Sequence, residues 1–122
     1  MKYHSKKTIV DGITFDSRAE ADRYCLLHLW EQMGKISNLK LQPRYELQPA
    51  FRKNGHSIRK IEYVADFEYE KDGKIIIEDV KGIKTEAYKL KKKLFEYEYP
   101  DREIKEITKE KKNVRKNNNG KN

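Results

Sequence analysis

Two neighbouring segments constrain this chain more than anything else in it: Ile61-Glu-Tyr-Val-Ala-Asp-Phe-Glu-Tyr-Glu70 and Lys74-Ile-Ile-Ile-Glu-Asp-Val-Lys81, with Asp72-Gly73 between them. Successive side chains of a strand point to opposite faces. Ile61, Tyr63, Ala65, Phe67 and Tyr69 are therefore expected on one face, and Glu62, Val64, Asp66, Glu68 and Glu70 on the other. Asp-Gly suits the positive φ angles of a two-residue hairpin loop, so Lys71 should pair with Lys74. Stepping outward from that pair, Asp66 falls directly opposite Asp79. Opposed residues share a face, with Cβ atoms about 4.5–5.5 Å apart, and Lys81, two residues beyond Asp79, shares it as well. Two carboxylates and an ammonium are thus expected to converge.

The remaining elements follow from local patterns. Thr8 to Phe15 reads as a short hairpin about Asp11-Gly12. Ser17-Arg-Ala-Glu20 is a capping-box pattern, and it predicts a helix running to Met33 and ending at Gly34. Leu26, Leu29, Trp30 and Met33 form its apolar stripe, widened by Tyr24, Cys25 and Leu27. Tyr45 to Phe51 is a further strand candidate, and Asn54-Gly55 offers a turn. Thr85 should cap a second helix over 86–98, with Ala87, Leu90, Leu94 and Tyr97 inward and Pro100 as its stop. Arg102 to Thr108 is read as a last strand. Hairpin, helix, three strands, helix, strand: this order predicts an α/β fold, a mixed sheet flanked by helices.

Only 36% of the 122 residues are hydrophobic and 39% are charged, so the core must be small and its aromatic residues important. No apolar run approaches the roughly 18 residues of a membrane span. The first seven residues lack the apolar stretch of a secretory signal. With Cys25 the single cysteine, no internal disulfide is expected, and three scattered histidines do not make a zinc site. A cytoplasmic setting is the expectation. Much of the net charge of +8 lies in residues 109–122, where Lys109, Lys111, Lys112, Arg115, Lys116 and Lys121 face Glu110 alone. That basic tail is expected to be disordered, following a domain over 1–108; it would be drawn to nucleic acid or simply solvate the chain end.

Two close carboxylates repel, and a hard divalent ion such as Mg²⁺ resolves the conflict with oxygen ligands. Lys81 could then orient a water, help deprotonate it, or offset phosphate charge. Glu20 adds a third carboxylate as ligand or water anchor; equally, it is the glutamate of the capping box. The competing reading makes Asp66, Asp79 and Lys81 an ordinary cross-strand ion pair. Charges at the end of so apolar a strand (Ile75, Ile76, Ile77, Val80) are costly unless paired or used, and residue chemistry alone leaves both readings open.

Tyr63-Val-Ala-Asp66-Phe, a hairpin, then Ile77-Glu-Asp79-Val-Lys81-Gly resembles the PD-(D/E)xK nuclease superfamily, whose restriction-endonuclease-like core has the order αβββαβ. More narrowly, Gly12-Ile-Thr-Phe-Asp-Ser17, Gln42-Pro43, Glu78-Asp-Val-Lys-Gly82 and Thr85 are similar to a small phage-associated family of uncharacterised nuclease-like proteins. Ala65 stands where the superfamily often has proline, and spacing to Lys81 selects Asp79 over Glu78 as the motif acid. The resemblance implies a Mg²⁺-dependent DNA endonuclease, with Mn²⁺ as substitute ion. By that analogy Asp66, Asp79 and the Val80 carbonyl bind the ion, Glu20 completes the acidic set and Lys81 assists the attacking water. Branched or recombining DNA in phage replication is the implied setting, and a homodimer would suit cutting two strands.

Gln42, Lys84, Thr85, Lys89 and Lys92 lie on segments that would border such a cleft and hold phosphates, or they are solvated surface. Tyr3, Tyr45, Tyr88 and Tyr99 would stack on bases or fill the core. Cys25 and His28 are read as packing residues. Rival functions are a non-catalytic nucleic-acid-binding module and a nuclease acting on RNA.

Overall fold

The computed structural model describes residues 6–108; the basic tail and Tyr3 lie outside the described residues. Strands β1 (Thr8–Val10) and β2 (Ile13–Phe15) form the N-terminal hairpin, followed by helix α1 (Arg18–Gln32). Next come β3 (Ser37–Leu41), β4 (Arg44–Gln48), β5 (Phe51–Lys53), β6 (His56–Ile58), β7 (Ile61–Val64), β8 (Phe67–Lys71) and β9 (Lys74–Lys81). Helix α2 (Glu86–Glu98) and β10 (Glu103–Thr108) close the chain. The architecture is mixed α/β. A four-stranded sheet has the order β10-β9-β8-β3, and β1-β2, β4-β7 and β5-β6 are two-stranded pairs. Within the large sheet β10 runs parallel to β9, while β8 is antiparallel to both β9 and β3. Among the described residues no helix is long and apolar enough to cross a membrane.

The Asp72-Gly73 turn and the two hydroxyl caps form as expected. Asp72 and Gly73 have φ of 51° and 75°, and Lys71 pairs with Lys74. Both central residues of such a turn need positive φ, which glycine adopts at no steric cost. The Ser17 hydroxyl accepts from the Glu20 amide at 3.1 Å, and Thr85 caps α2 by accepting from the Tyr88 amide at 3.1 Å.

The run 61–70 is not one strand. It breaks at Ala65-Asp66 into β7, paired with β4, and β8, paired with β9 and β3. The alternation breaks with it. Tyr63 and Ala65 pack in the cluster beneath α2, with Tyr45, Leu47, Ile77, Tyr88 and Phe95. Phe67 and Tyr69 pack instead with Phe15, Ala21, Tyr24, Leu27, Ile36 and Ile76 beneath α1. The large sheet therefore separates two cores, one for each helix, and Asp66 sits where the chain passes between the two partnerships.

Other expectations need correction. Tyr45 to Phe51 divides at Pro49, which cannot donate to a ladder, into β4 and β5. The strand β3 lacks an apolar alternation because it is an edge: of its residues only Leu39 is even half-buried. On α1 the buried face is Ala21, Tyr24 and Leu27; Leu29 and Met33 are exposed, and so is Cys25. On α2 the buried residues are Tyr88 and Phe95, whereas Ala87, Leu90 and Tyr97 are exposed. Aromatic contact decides that face, because Phe95 meets Tyr45 edge-on at 5.0 Å and Tyr63 at 5.4 Å.

Candidate functional site

Asp66 lies one step beyond the last paired residues of β8 and β9, Phe67 and Glu78. Its amide still donates to the Glu78 carbonyl at 3.1 Å, and its carboxylate accepts from the Val80 amide at 2.7 Å. The Gln42 amide donates to its carbonyl at 2.9 Å. The residue at the strand break is thus held by three backbone bonds. Asp79, 3% exposed, accepts from the Tyr63 hydroxyl and pairs with Lys81 Nζ at 3.2 Å. Lys81 in turn lies over the Tyr88 ring, 4.0 Å from its centroid. The sequence-predicted trio of Asp66, Asp79 and Lys81 is brought together at one end of the sheet.

Glu20, in the first turn of α1, reaches the same end and lines one concavity with Gln42 and Asp66 and another with Val80 and Lys81. Its carboxylate makes no bond to the Ser17 amide among the described residues, so the capping box is half formed. Burial first, then the nearby Asp16, raises its pKa. Asp66 is pushed up to about 7, by burial first; the Val80 amide opposes the rise while Asp79 and Glu20 add to it.

A metal can be tested against this donor set. Among the described residues no three His, Cys, Asp or Glu side chains form a group able to hold an ion, so Glu20 does not join Asp66 and Asp79 in one ligand cluster. The pair itself fits a hard cation: two neighbouring carboxylates, Asp79 buried and Asp66 half-buried, Asp79 with an ammonium and Asp66 with an amide to offset its charge.

The raised Asp66 pKa has a consequence for stability. The unfolded chain would release this proton near pH 4, and the folded chain holds it to about 7. Without divalent ions, stability should therefore fall as pH rises from about 4 to 7. Asp66→Asn removes that loss and is expected to stabilise the metal-free protein at pH 8 on the order of 2–4 kcal/mol, with little gain at pH 4. Urea unfolding midpoints at the two pH values check it. A variant no more stable at pH 8 than at pH 4, relative to wild type, would refute the strained pair.

The expected phosphate contacts are scattered. Gln42 alone borders the acidic pair directly. Lys84 and Lys92 are both tied to Glu106, at 2.8 and 3.3 Å, and Thr85 spends its hydroxyl as the cap of α2. Lys89 is exposed and pairs with Glu86. Tyr45 and Tyr88 are buried, and Tyr99 donates to the Glu46 carbonyl, so these three are core residues. His28 stacks on Tyr24 at 5.5 Å, as a packing residue should.

A family model described as "Protein of unknown function (DUF1064)" matches residues 1–115. The chain belongs to the DUF1064 family. No curated protein and no solved structure matches it.

In this DUF1064 chain, sequence reasoning missed three residues around the trio. Tyr63 was assigned to the face away from Asp79, because nothing in the alternation marks the break at Ala65-Asp66. Tyr88 was read as stacking on bases or filling the core, not as a support for Lys81, because the apolar stripe of α2 was drawn one residue away, through Ala87. Glu106, on the strand parallel to β9 and paired in register with Asp79, accepts from the Tyr88 hydroxyl at 2.8 Å. Its lysine partner Lys84 first, with Tyr88 and Lys92, holds its pKa down to about 2. Glu106 thereby anchors Tyr88, whose ring supports Lys81.

Proposed function

We propose that the chain is a divalent-metal-dependent endonuclease that hydrolyses phosphodiester bonds of DNA, related to the PD-(D/E)xK superfamily. The observation that carries this reading is the convergence of Asp66, Asp79 and Lys81 at one end of a sheet. A second supports it. The elements α1, β3, β8, β9, α2 and β10 follow the order αβββαβ once residues 44–64 are treated as an insertion between β3 and β8.

In this reading Asp66, Asp79 and the Val80 carbonyl would hold Mg²⁺ or Mn²⁺, with Glu20 acting from farther out. When bound, such an ion supplies positive charge for the phosphate and acidifies water. The chain does the rest. Tyr63 fixes the Asp79 carboxylate, and the Tyr88 ring and Asp79 hold the Lys81 ammonium. From there Lys81 orients the attacking water or offsets charge developing on the phosphate. Gln42, beside Asp66, is placed to touch the substrate backbone.

The test is incubation of the full chain with linear, forked and four-way DNA, and with RNA, in Mg²⁺, in Mn²⁺ and in EDTA. DNA cleavage in either ion, none in EDTA, and products bearing 5′-phosphate are expected. DNA left intact in both ions overturns the reading. The 3.2 Å Lys81–Asp79 pair favours one rival, a binding module with an inert ion-pair network, and binding without cutting is the outcome that would establish it.

A further inference from the structure

Residues 51–60 form a basic arm that neither the acidic pair nor the cores use. Its two strands, β5 and β6, join through Asn54-Gly55, and every residue from Phe51 to Lys60 is exposed. The hairpin has no substantial contact with another helix or strand. A lone two-stranded hairpin gains little stability of its own. Yet this one carries Arg52, Lys53, His56, Arg59 and Lys60 with no acidic residue among them.

Its tip is braced from within. Arg52 donates to Ser57 Oγ at 2.8 Å and to the Gly55 carbonyl at 2.9 Å. The pairing sets Lys53 beside His56 and Phe51 beside Ile58, on the face opposite Arg52 and Ser57. At the base of the hairpin a concavity is rimmed by Arg44, Arg59, Lys60 and Lys91 against one acid, Glu62. Arg44 and Lys60 are paired with Glu62, at 3.1 and 3.0 Å. Among the described residues Lys53 and Arg59 enter no ion pair.

We propose that the β5–β6 arm enters the major groove of duplex DNA, with Lys53 and Arg59 on the flanking phosphates. Dimensions select the duplex. The B-form major groove, about 12 Å wide and 8.5 Å deep, admits a two-stranded ribbon. Strands of three residues extend about 10 Å, so a ribbon laid across that width sets Lys53 at its tip and Arg59 at its base against the two walls of the groove. The deep, narrow major groove of A-form RNA does not admit one. The arm continues the β4–β7 ribbon, whose other end adjoins Asp66 through the bond from the Ala65 amide to the Pro43 carbonyl. From Asp66 to Arg59 the chain covers no more than about 24 Å, so the base of the arm lies within one helical turn, about 34 Å, of the reaction centre. The inference extends the nuclease reading by naming the substrate form and where it is held.

Binding of the full chain to a labelled DNA duplex, titrated in EDTA over a range of salt, tests the arm apart from any cleavage. The double variant Lys53→Ala/Arg59→Ala is expected to bind about tenfold or more weakly and to reduce the slope of log affinity against log salt by about 2. Lys71→Ala/Lys74→Ala removes the same charge from the exposed β8–β9 turn and should change affinity far less. Wild-type affinity in the arm variant, or an equal loss in the control, overturns the proposal. So does duplex RNA bound as tightly as DNA through the same residues. Because binding is read in EDTA, where no cleavage takes place, failure of the arm and failure of the cleavage chemistry give different results.

Discussion

Lys81→Ala is expected to slow DNA cleavage about 10²–10⁴-fold while duplex binding in EDTA stays at the wild-type level. That range is what a positioned acid–base or charge-stabilising group contributes to such a reaction. The ammonium is in place before substrate arrives, held 3.2 Å from Asp79 and over the Tyr88 ring. Little entropy is then lost in aligning it during the reaction. The same contacts make the alanine variant less stable, since they leave the Asp79 carboxylate, 3% exposed, with the Tyr63 hydroxyl alone. Lys81→Arg separates the two effects. It keeps the charge, the ion pair and the ring contact, so thermal unfolding should match wild type. Arginine cannot give up its proton and presents a planar fork instead of a point charge, so cleavage should remain well below wild type. Alanine and arginine variants that both cut at the wild-type rate would reduce Lys81 to a counter-ion of Asp79.

The convergence of this trio was legible because it depends on local rules. A turn of the Asp-Gly type, a two-residue loop and a step of two along each strand are enough to set Asp66 against Asp79, and the ladder from Lys71–Lys74 to Phe67–Glu78 follows that count. The helix starts at Ser17 and Thr85 were legible for a similar reason, since a cap involves residues only three apart. Non-local choices were not. Nothing near Ala65 marks that Tyr63 joins one core and Phe67 the other, because which sheet a strand enters is decided by partners at residues 37–48. Edge strand β3 has too little buried surface to leave a pattern. The helix faces were misread because hydropathy favours Leu29, Leu90 and Met33 over Ala21 and Tyr88. The packed structure instead rewards close approach and aromatic contact.

Glu78 was the ambiguous acid of the pair Glu78-Asp79, and its burial leads to the largest stability effect expected in the chain. It is fully buried on the α1 side of the sheet. There it accepts two bonds of 2.7 Å from Arg23 and one of 2.6 Å from the Tyr69 hydroxyl. Arg23 also lies over Trp30, 5.3 Å from the ring. Cutting one partner out of such a pair costs about 3–5 kcal/mol, because the remaining charge keeps its burial and loses its compensation. Against the roughly 5–15 kcal/mol of a typical domain, Arg23→Ala should therefore remove a large share of the stability. Replacing both ions behaves differently, since the desolvation of each charge is removed along with the attraction. Arg23→Met/Glu78→Leu/Tyr69→Phe, which also removes the hydroxyl left without an acceptor, is expected to recover most of the loss. Urea unfolding of the single and triple variants measures both terms. Because Glu78 faces away from Asp79, the triple variant should keep its cleavage chemistry. If it folds with wild-type stability and cannot cut, Glu78 belongs to the reaction and Asp79 is not the motif acid.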